Sequence, residues 1–309
     1  MSAGAERAGG VDAPAHPDPA HAWRLALRLP TLAAAVVPVL VGSAVAARQG
    51  FFRAGPALAA LSGALLIQIG TNFANDLYDH AKGADHSGRV GFPRVLAAGW
   101  LTPREVRRAM LAAFGGATLA GMYLVLAAGW PVLVIGVVSI AAGIGYTAGR
   151  WALGYNGLGD LAVFLFFGFV AVAGTYYVEA RTLSPLALAA AVPVGALATN
   201  ILVVNNVRDE ESDRASGKRT LVVLLGRDAG IGEYAFLLLL AYAVPVLLWR
   251  TGELGLAALL PLLTLPLAAG PFRIVATRRE GSALNAALVR TARLHAIFGA
   301  LFALGIVFP

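Results

Sequence analysis

Nine apolar runs, each about as long as a bilayer core is thick, constrain this chain more than any other feature. They cover residues 29–48, 54–75, 106–127, 131–149, 159–179, 184–205, 231–249, 253–271 and 285–307. A helix needs about 20 residues to cross hydrocarbon, and there its backbone has to satisfy its own hydrogen bonds. The expectation is an all-α membrane protein, a bundle of nine transmembrane helices around a central cavity. Composition agrees: 58% of the 309 residues are hydrophobic and only 13% are charged, against about 25% in an average soluble chain. Pro30 and Pro131 stand at the starts of runs, where a missing N–H is harmless. Pro193 and Pro245 lie inside runs and predict kinks. Residues 1–22, rich in Ala, Pro, Gly and His (His16 and His21 among them), read as a disordered cytoplasmic tail. Residues 23–309 then form one transmembrane domain. With no cysteine, disulfides and thiolate metal sites are excluded.

The net charge of +7 does not point to nucleic acid, because the cations sit in connections between apolar runs. One set of connections holds Lys82, Arg89, Arg94, Arg104, Arg107, Arg108, Arg150, Arg208, Arg214, Lys218, Arg219, Arg227, Arg273, Arg278 and Arg279. The opposite set has only Arg48, Arg53, Arg181 and Arg250. Cations concentrate on the cytoplasmic side. This places a multi-pass protein in the cell membrane with its N-terminus and longest loops in the cytoplasm.

Two connections are long, roughly 76–105 and 206–230, and each opens with an acidic cluster. The first cluster is Asn72-Phe-Ala-Asn75-Asp76-Leu-Tyr78-Asp79; the second is Asn205-Asn206-Val-Arg208-Asp209-Glu-Glu-Ser-Asp213. Residues three and four apart share a helix face. Asn72, Asp76 and Asp79 therefore form one stripe, and Asn205, Asp209 and Asp213 form another, joined by Asn206. Carboxylates at the edge of a bilayer are costly, so a matched pair of stripes reads as a site.

Oxygen donors of this kind suit Mg²⁺, which takes one or two carboxylates and completes its shell with water and phosphate oxygens. Two ions bridged by a diphosphate account for two stripes. Lys82, Arg94, Arg208, Lys218 and Arg219 are placed in sequence to close around such an anion. The matching chemistry is ionisation of an allylic diphosphate, with charge on the leaving oxygens stabilised by metal and the carbocation shielded from water by the bundle.

The two aspartate motifs resemble those of the UbiA superfamily of intramembrane prenyltransferases, and the resemblance spans nearly all of the chain after the tail. It is closest to the 1,4-dihydroxy-2-naphthoate polyprenyltransferase branch. Tyr146-Thr147, Gly157–Asp160, Phe166–Tyr177, Gly217–Thr220 and Asn285–Gly299 carry that likeness. The resemblance implies that Asp76, Asp79, Asp209 and Asp213 hold Mg²⁺. Asn72, Asn75 and Asn206 would support metal or diphosphate, and Lys82, Arg94, Arg208, Lys218 and Arg219 would contact phosphate. Tyr78 and Tyr146 would either face the carbocation or anchor the bundle at the interface. Asp85 is a further acidic candidate whose spacing departs from the superfamily pattern. The implied reaction moves a polyprenyl group from its diphosphate to an aromatic acceptor, replacing the naphthoate carboxylate and giving demethylmenaquinone.

Other polar residues have plainer readings. Asp160 opens the fifth run, where it either caps a helix or meets the acceptor. Glu179 and Glu253 read as interfacial on the far side. His80 and His86 read as loop histidines. Arg290 and Arg293 read as snorkelling, and His295 as bonded to a neighbouring helix. The competing functions are a sister prenyltransferase for 4-hydroxybenzoate, homogentisate, haem or a chlorophyll precursor, and a cation-coupled transporter. A transporter is expected to hold its carboxylates near the bilayer midplane rather than at helix ends.

Overall fold

The computed structural model of the protein describes residues 18–83 and 94–308. His16, Asp85, His86 and Arg89 lie outside the described residues. Every regular element among those described is helical. In chain order they are α1 Pro19–Leu27, α2 Ala33–Arg48, α3 Ala54–Ala81, α4 Pro103–Ala128, α5 Pro131–Gly145 and α6 Gly159–Ala180. There follow α7 Pro185–Arg208, α8 Glu210–Ala215, α9 Leu221–Leu225, α10 Arg227–Arg250, α11 Leu256–Thr277 and α12 Gly281–Val307.

Eight helical stretches are long and apolar enough to cross a membrane, counting α1 and α2 as one. The fourth predicted span is the 15-residue helix α5, about 22 Å long at 1.5 Å per residue. It runs back from the far end of α4 to Thr147, whose hydroxyl donates to Asn75 at the end of α3. Pro38, Pro193 and Pro245 all lie inside helices.

The tail boundary shifts. Pro19 starts α1 at a position where proline is favoured, and Ala22 and Ala26 are buried against Phe73, Leu77 and Val106. Trp23 meets the Phe73 ring edge-on at 5.9 Å. Residues 19–22 are therefore helix rather than tail. Arg28 ends α1 in the left-handed region with φ 51°, a conformation that costs about 1 kcal/mol or more for a residue with a Cβ.

The main core surrounds α7, the most buried helix, which packs against α2, α6, α10 and α12. A helix apolar all round belongs at such a centre. Glycines set the closest approach. A Cβ on Gly195 of α7 would stand 2.7 Å from the Phe164 carbonyl of α6, and one on Gly168 would stand 2.8 Å from that of Ala191. The touching part of α6 is a π-helical stretch, Phe164–Val170.

Candidate active site

α3 continues past its predicted end to Ala81, so Asn72, Asn75, Asp76 and Asp79 are all helical. α7 stops at Arg208, Asp209 breaks it, and α8 resumes at Glu210. The Asp213 N–H still donates to the Asp209 carbonyl at 2.7 Å, which preserves the helical spacing of that pair. All four aspartates are buried, between 2% and 6% exposed.

The two stripes meet. The Lys218 ammonium lies 3.6 Å from Asp79 Oδ1 and 3.5 Å from Asp213 Oδ1. Arg94 bonds Asp76 and also reaches Asp79 Oδ2 at 3.2 Å. Arg208 grips Asp209 with two bonds of 2.7 and 2.8 Å and donates to Asn285 at 2.8 Å. Buried carboxylates stay charged only with such compensation. Asn206 donates to Asp160 at 3.1 Å, so Asp160, in the first turn of α6, joins the second motif.

Tyr146 stands between the motifs. Its half-buried phenol has the carboxylates of Asp160, Asp213 and Asp79 around it. A phenol is neutral at physiological pH and can donate a hydrogen bond. Its ring lies against Gly154 and Gly159, where a Cβ would come within 2.8 and 3.0 Å of it. Lys82 donates to the carbonyls of Thr147 at 2.6 Å and Gly149 at 3.0 Å. Burial lowers its ammonium from the usual value; Asp79 opposes that shift and Lys218 adds to it.

Three expected contributors make other contacts in this structure. Asn72 donates to Leu27 O at 3.1 Å and to Thr31 Oγ1 at 3.2 Å, so it fixes the α1–α2 junction. Tyr78 packs beside the α1–α3–α4 core, which favours anchoring. Arg219 is exposed, and its backbone N–H donates to Tyr155 O at 3.0 Å. Glu179 sits at the far end of α6 as expected, but it is buried there, 3% exposed, and accepts from Ser43 at 2.6 Å and the Arg53 N–H at 3.1 Å. Fully buried His295 has no hydrogen-bond partner among the described residues, contrary to expectation.

Two residues of the site were not read from the sequence. Arg28 pairs with Asp76 from the strained end of α1. Tyr155 donates to Asp79 Oδ1 at 2.8 Å, with Lys82 3.9 Å and Lys218 4.9 Å from its ring centre. Ammonium groups at that distance are drawn to the ring face. Tyr155 lies in the short connection before the fifth run and Arg28 just before the first, so no local pattern flags either.

Beside this cluster opens an apolar chamber of about 480 Å³. Its walls come from α2 to α6, with none from α7 to α12, and Tyr146 and Leu153 mark the end toward the aspartates. The expected cavity is therefore built by the first half of the chain rather than by the whole bundle.

The donor set fits a hard divalent cation, being oxygen throughout. Among the described residues no three His, Cys, Asp or Glu side chains converge into a cage. Paired carboxylates with no further protein ligand are the kind of donor set that Mg²⁺ completes with water or ligand oxygens.

Fold and site together define a membrane-embedded helical bundle that presents a buried acid–base cluster at the foot of an apolar chamber. The chain belongs to the UbiA prenyltransferase family, matched over residues 35–303. It is a multi-pass membrane enzyme, a prenyltransferase. It is 39% identical to the 1,4-dihydroxy-2-naphthoate octaprenyltransferase of Escherichia coli K12, across 92% of this chain and 94% of that protein. Among solved structures, an apo UbiA homologue from Aeropyrum pernix K1 is 15% identical with a TM-score of 0.69, covering 88% of this chain and 97% of that one. A UbiA homologue from Archaeoglobus fulgidus bound to DMAPP and Mg²⁺ is 16% identical with a TM-score of 0.66, covering 92% and 98%.

Proposed function

We propose that the protein transfers a polyprenyl group from polyprenyl diphosphate to 1,4-dihydroxy-2-naphthoate, with Mg²⁺, at the cytoplasmic face of the cell membrane. The observation that carries this reading is the meeting of both aspartate motifs on Lys218 at the end of the chamber marked by Tyr146. The apolar chamber suits an isoprenoid tail, and the charged cluster suits a diphosphate. Asp76, Asp79, Asp209 and Asp213 are the residues that would hold Mg²⁺, which when bound supplies Lewis-acid neutralisation of the departing diphosphate.

The chain's own groups do the rest. Lys218 and Lys82 present ammonium groups to phosphate oxygens, and Arg94 and Arg28 pair with Asp76. Tyr146, a neutral phenol, donates toward developing negative charge. The apolar walls exclude water from the allylic cation. The C–O bond to diphosphate breaks with its electron pair on oxygen; the ring carbon bearing the carboxylate attacks, and CO₂ leaves with that bond's electron pair returned to the ring. No electrons are removed overall, so the immediate product is the hydroquinone, demethylmenaquinol.

The Asp76→Asn and Asp209→Asn variants test the assignment. Each is expected to lose prenyl transfer by about 10³-fold or more, with membrane insertion intact by fractionation and thermal unfolding in detergent. Near-normal turnover with Mg²⁺ would remove these residues from the site. Labelled prenyl diphosphate offered with naphthoate, 4-hydroxybenzoate and homogentisate acceptors tests the substrate; preference for another ring would replace the naphthoate assignment.

A further inference from the structure

Away from the aspartates, five arginines crowd one outer region at the same end of the bundle. Arg273 on α11, Arg278 and Arg279 after it, and Arg290 and Arg293 on α12 are all exposed. Among the described residues none of them is ion-paired.

Two of them border a cavity at the end of α11, and a third faces the same helix from α12. Arg273, Ile274, Thr277 and Arg278 line a cavity of about 360 Å³. From the facing helix, Arg290 Nη1 lies 3.8 Å from where a Cβ on Gly270 would stand. Gly270, Arg273 and Thr277 share a face of α11 by their spacing, as Arg290 and Arg293 do on α12. Arg290 and Arg293 lie about 8 and 12 Å along α12 from residue 285, where the apolar run starts, at 1.5 Å per residue. An uncompensated guanidinium beside hydrocarbon is expensive. Leu267 and Val289, both exposed, continue the same faces with apolar side chains.

We propose that this α11–α12 arginine cluster binds the phosphodiester headgroup of an anionic phospholipid from the leaflet on the active-site side, its acyl chains lying along Leu267 and Val289. A guanidinium is suited to bidentate contact with phosphate. A lipid phosphate is also the anion that reaches the cluster from the hydrocarbon side, where the deeper arginines are rooted.

The full chain reconstituted in phosphatidylcholine carrying a minor share of spin-labelled phosphatidylglycerol or spin-labelled phosphatidylcholine tests this. Wild type is expected to favour the anionic label by about tenfold, with each arginine supplying up to about fivefold. The R273Q/R290Q/R293Q variant is expected to bring the two labels to near parity at an unchanged unfolding temperature. Inorganic phosphate, compared with chloride at equal ionic strength, is expected to leave the wild-type preference unchanged. Equal binding of both labels by wild type, retention of the preference in a folded triple variant, or its loss to free phosphate would each overturn the proposal. Should the triple variant fail to fold, wild type alone decides: its preference has to fall as salt rises.

Discussion

Lys218 is shared by three partners, two carboxylates from distant parts of the chain and the Tyr155 ring. Tyr155 is the hinge of that arrangement, because it holds Asp79 by its hydroxyl and both lysines by its face. Removing only the hydroxyl separates the two roles. Tyr155→Phe keeps the ring and loses a hydrogen bond to a carboxylate, an interaction of about 1.5–3 kcal/mol. Steady-state prenyl transfer is expected to show kcat/KM lowered about 10- to 100-fold. Tyr155→Leu, which also removes the ring, is expected to fall further and to raise KM for the diphosphate. Equal rates for wild type and Tyr155→Phe would show that the hydroxyl does not position Asp79.

Among the elements, the long helices were legible because membrane helices announce themselves as apolar runs of fixed length, and Asp76 and Asp79 because helical spacing reveals a stripe. α1 was not legible: its nine residues Pro19–Leu27 are too short for a span and carry Arg24, and only packing against Phe73 shows them to be helix. The contacts of Arg28 and Tyr155 were hidden for a related reason. Each is 48 or more residues from its aspartate, and no periodicity encodes a partner at that separation. The α6–α7 seam was also invisible, since glycine abounds in membrane helices and only coordinates show which ones touch. That seam sets the register between Asp160 and Asn206. Gly195→Ala places a methyl group 2.7 Å from the Phe164 carbonyl. Overpacking of this kind costs about 1–3 kcal/mol. Thermal unfolding in detergent is expected to show a lower midpoint, whereas Gly121→Ala, with open space around its Cβ position, is expected to leave it unchanged.

At the scale of the whole molecule the two halves of the chain divide the labour. The second half, with α7 at its centre, is densely packed and contributes Asp209, Asp213 and Lys218. The first half leaves the chamber and contributes Asp76 and Asp79. The chamber does not end inside the protein. Met122, Leu126, Leu133 and Val137 line it and are also between 56% and 87% exposed, so it opens sideways between α4 and α5. On the proposed reading, a tail longer than the chamber would leave into lipid rather than fold back. Gly136 lies on α5 at this opening, and nothing stands within 4 Å of its Cβ position. Gly136→Trp is expected to close the exit. Competing a long polyprenyl diphosphate against a short one, the ratio of their kcat/KM values is expected to fall by about tenfold or more, because only the long tail needs the opening. A ratio unchanged by the tryptophan would mean that the tail leaves the bundle by another route, and that the small side of α5 serves packing alone.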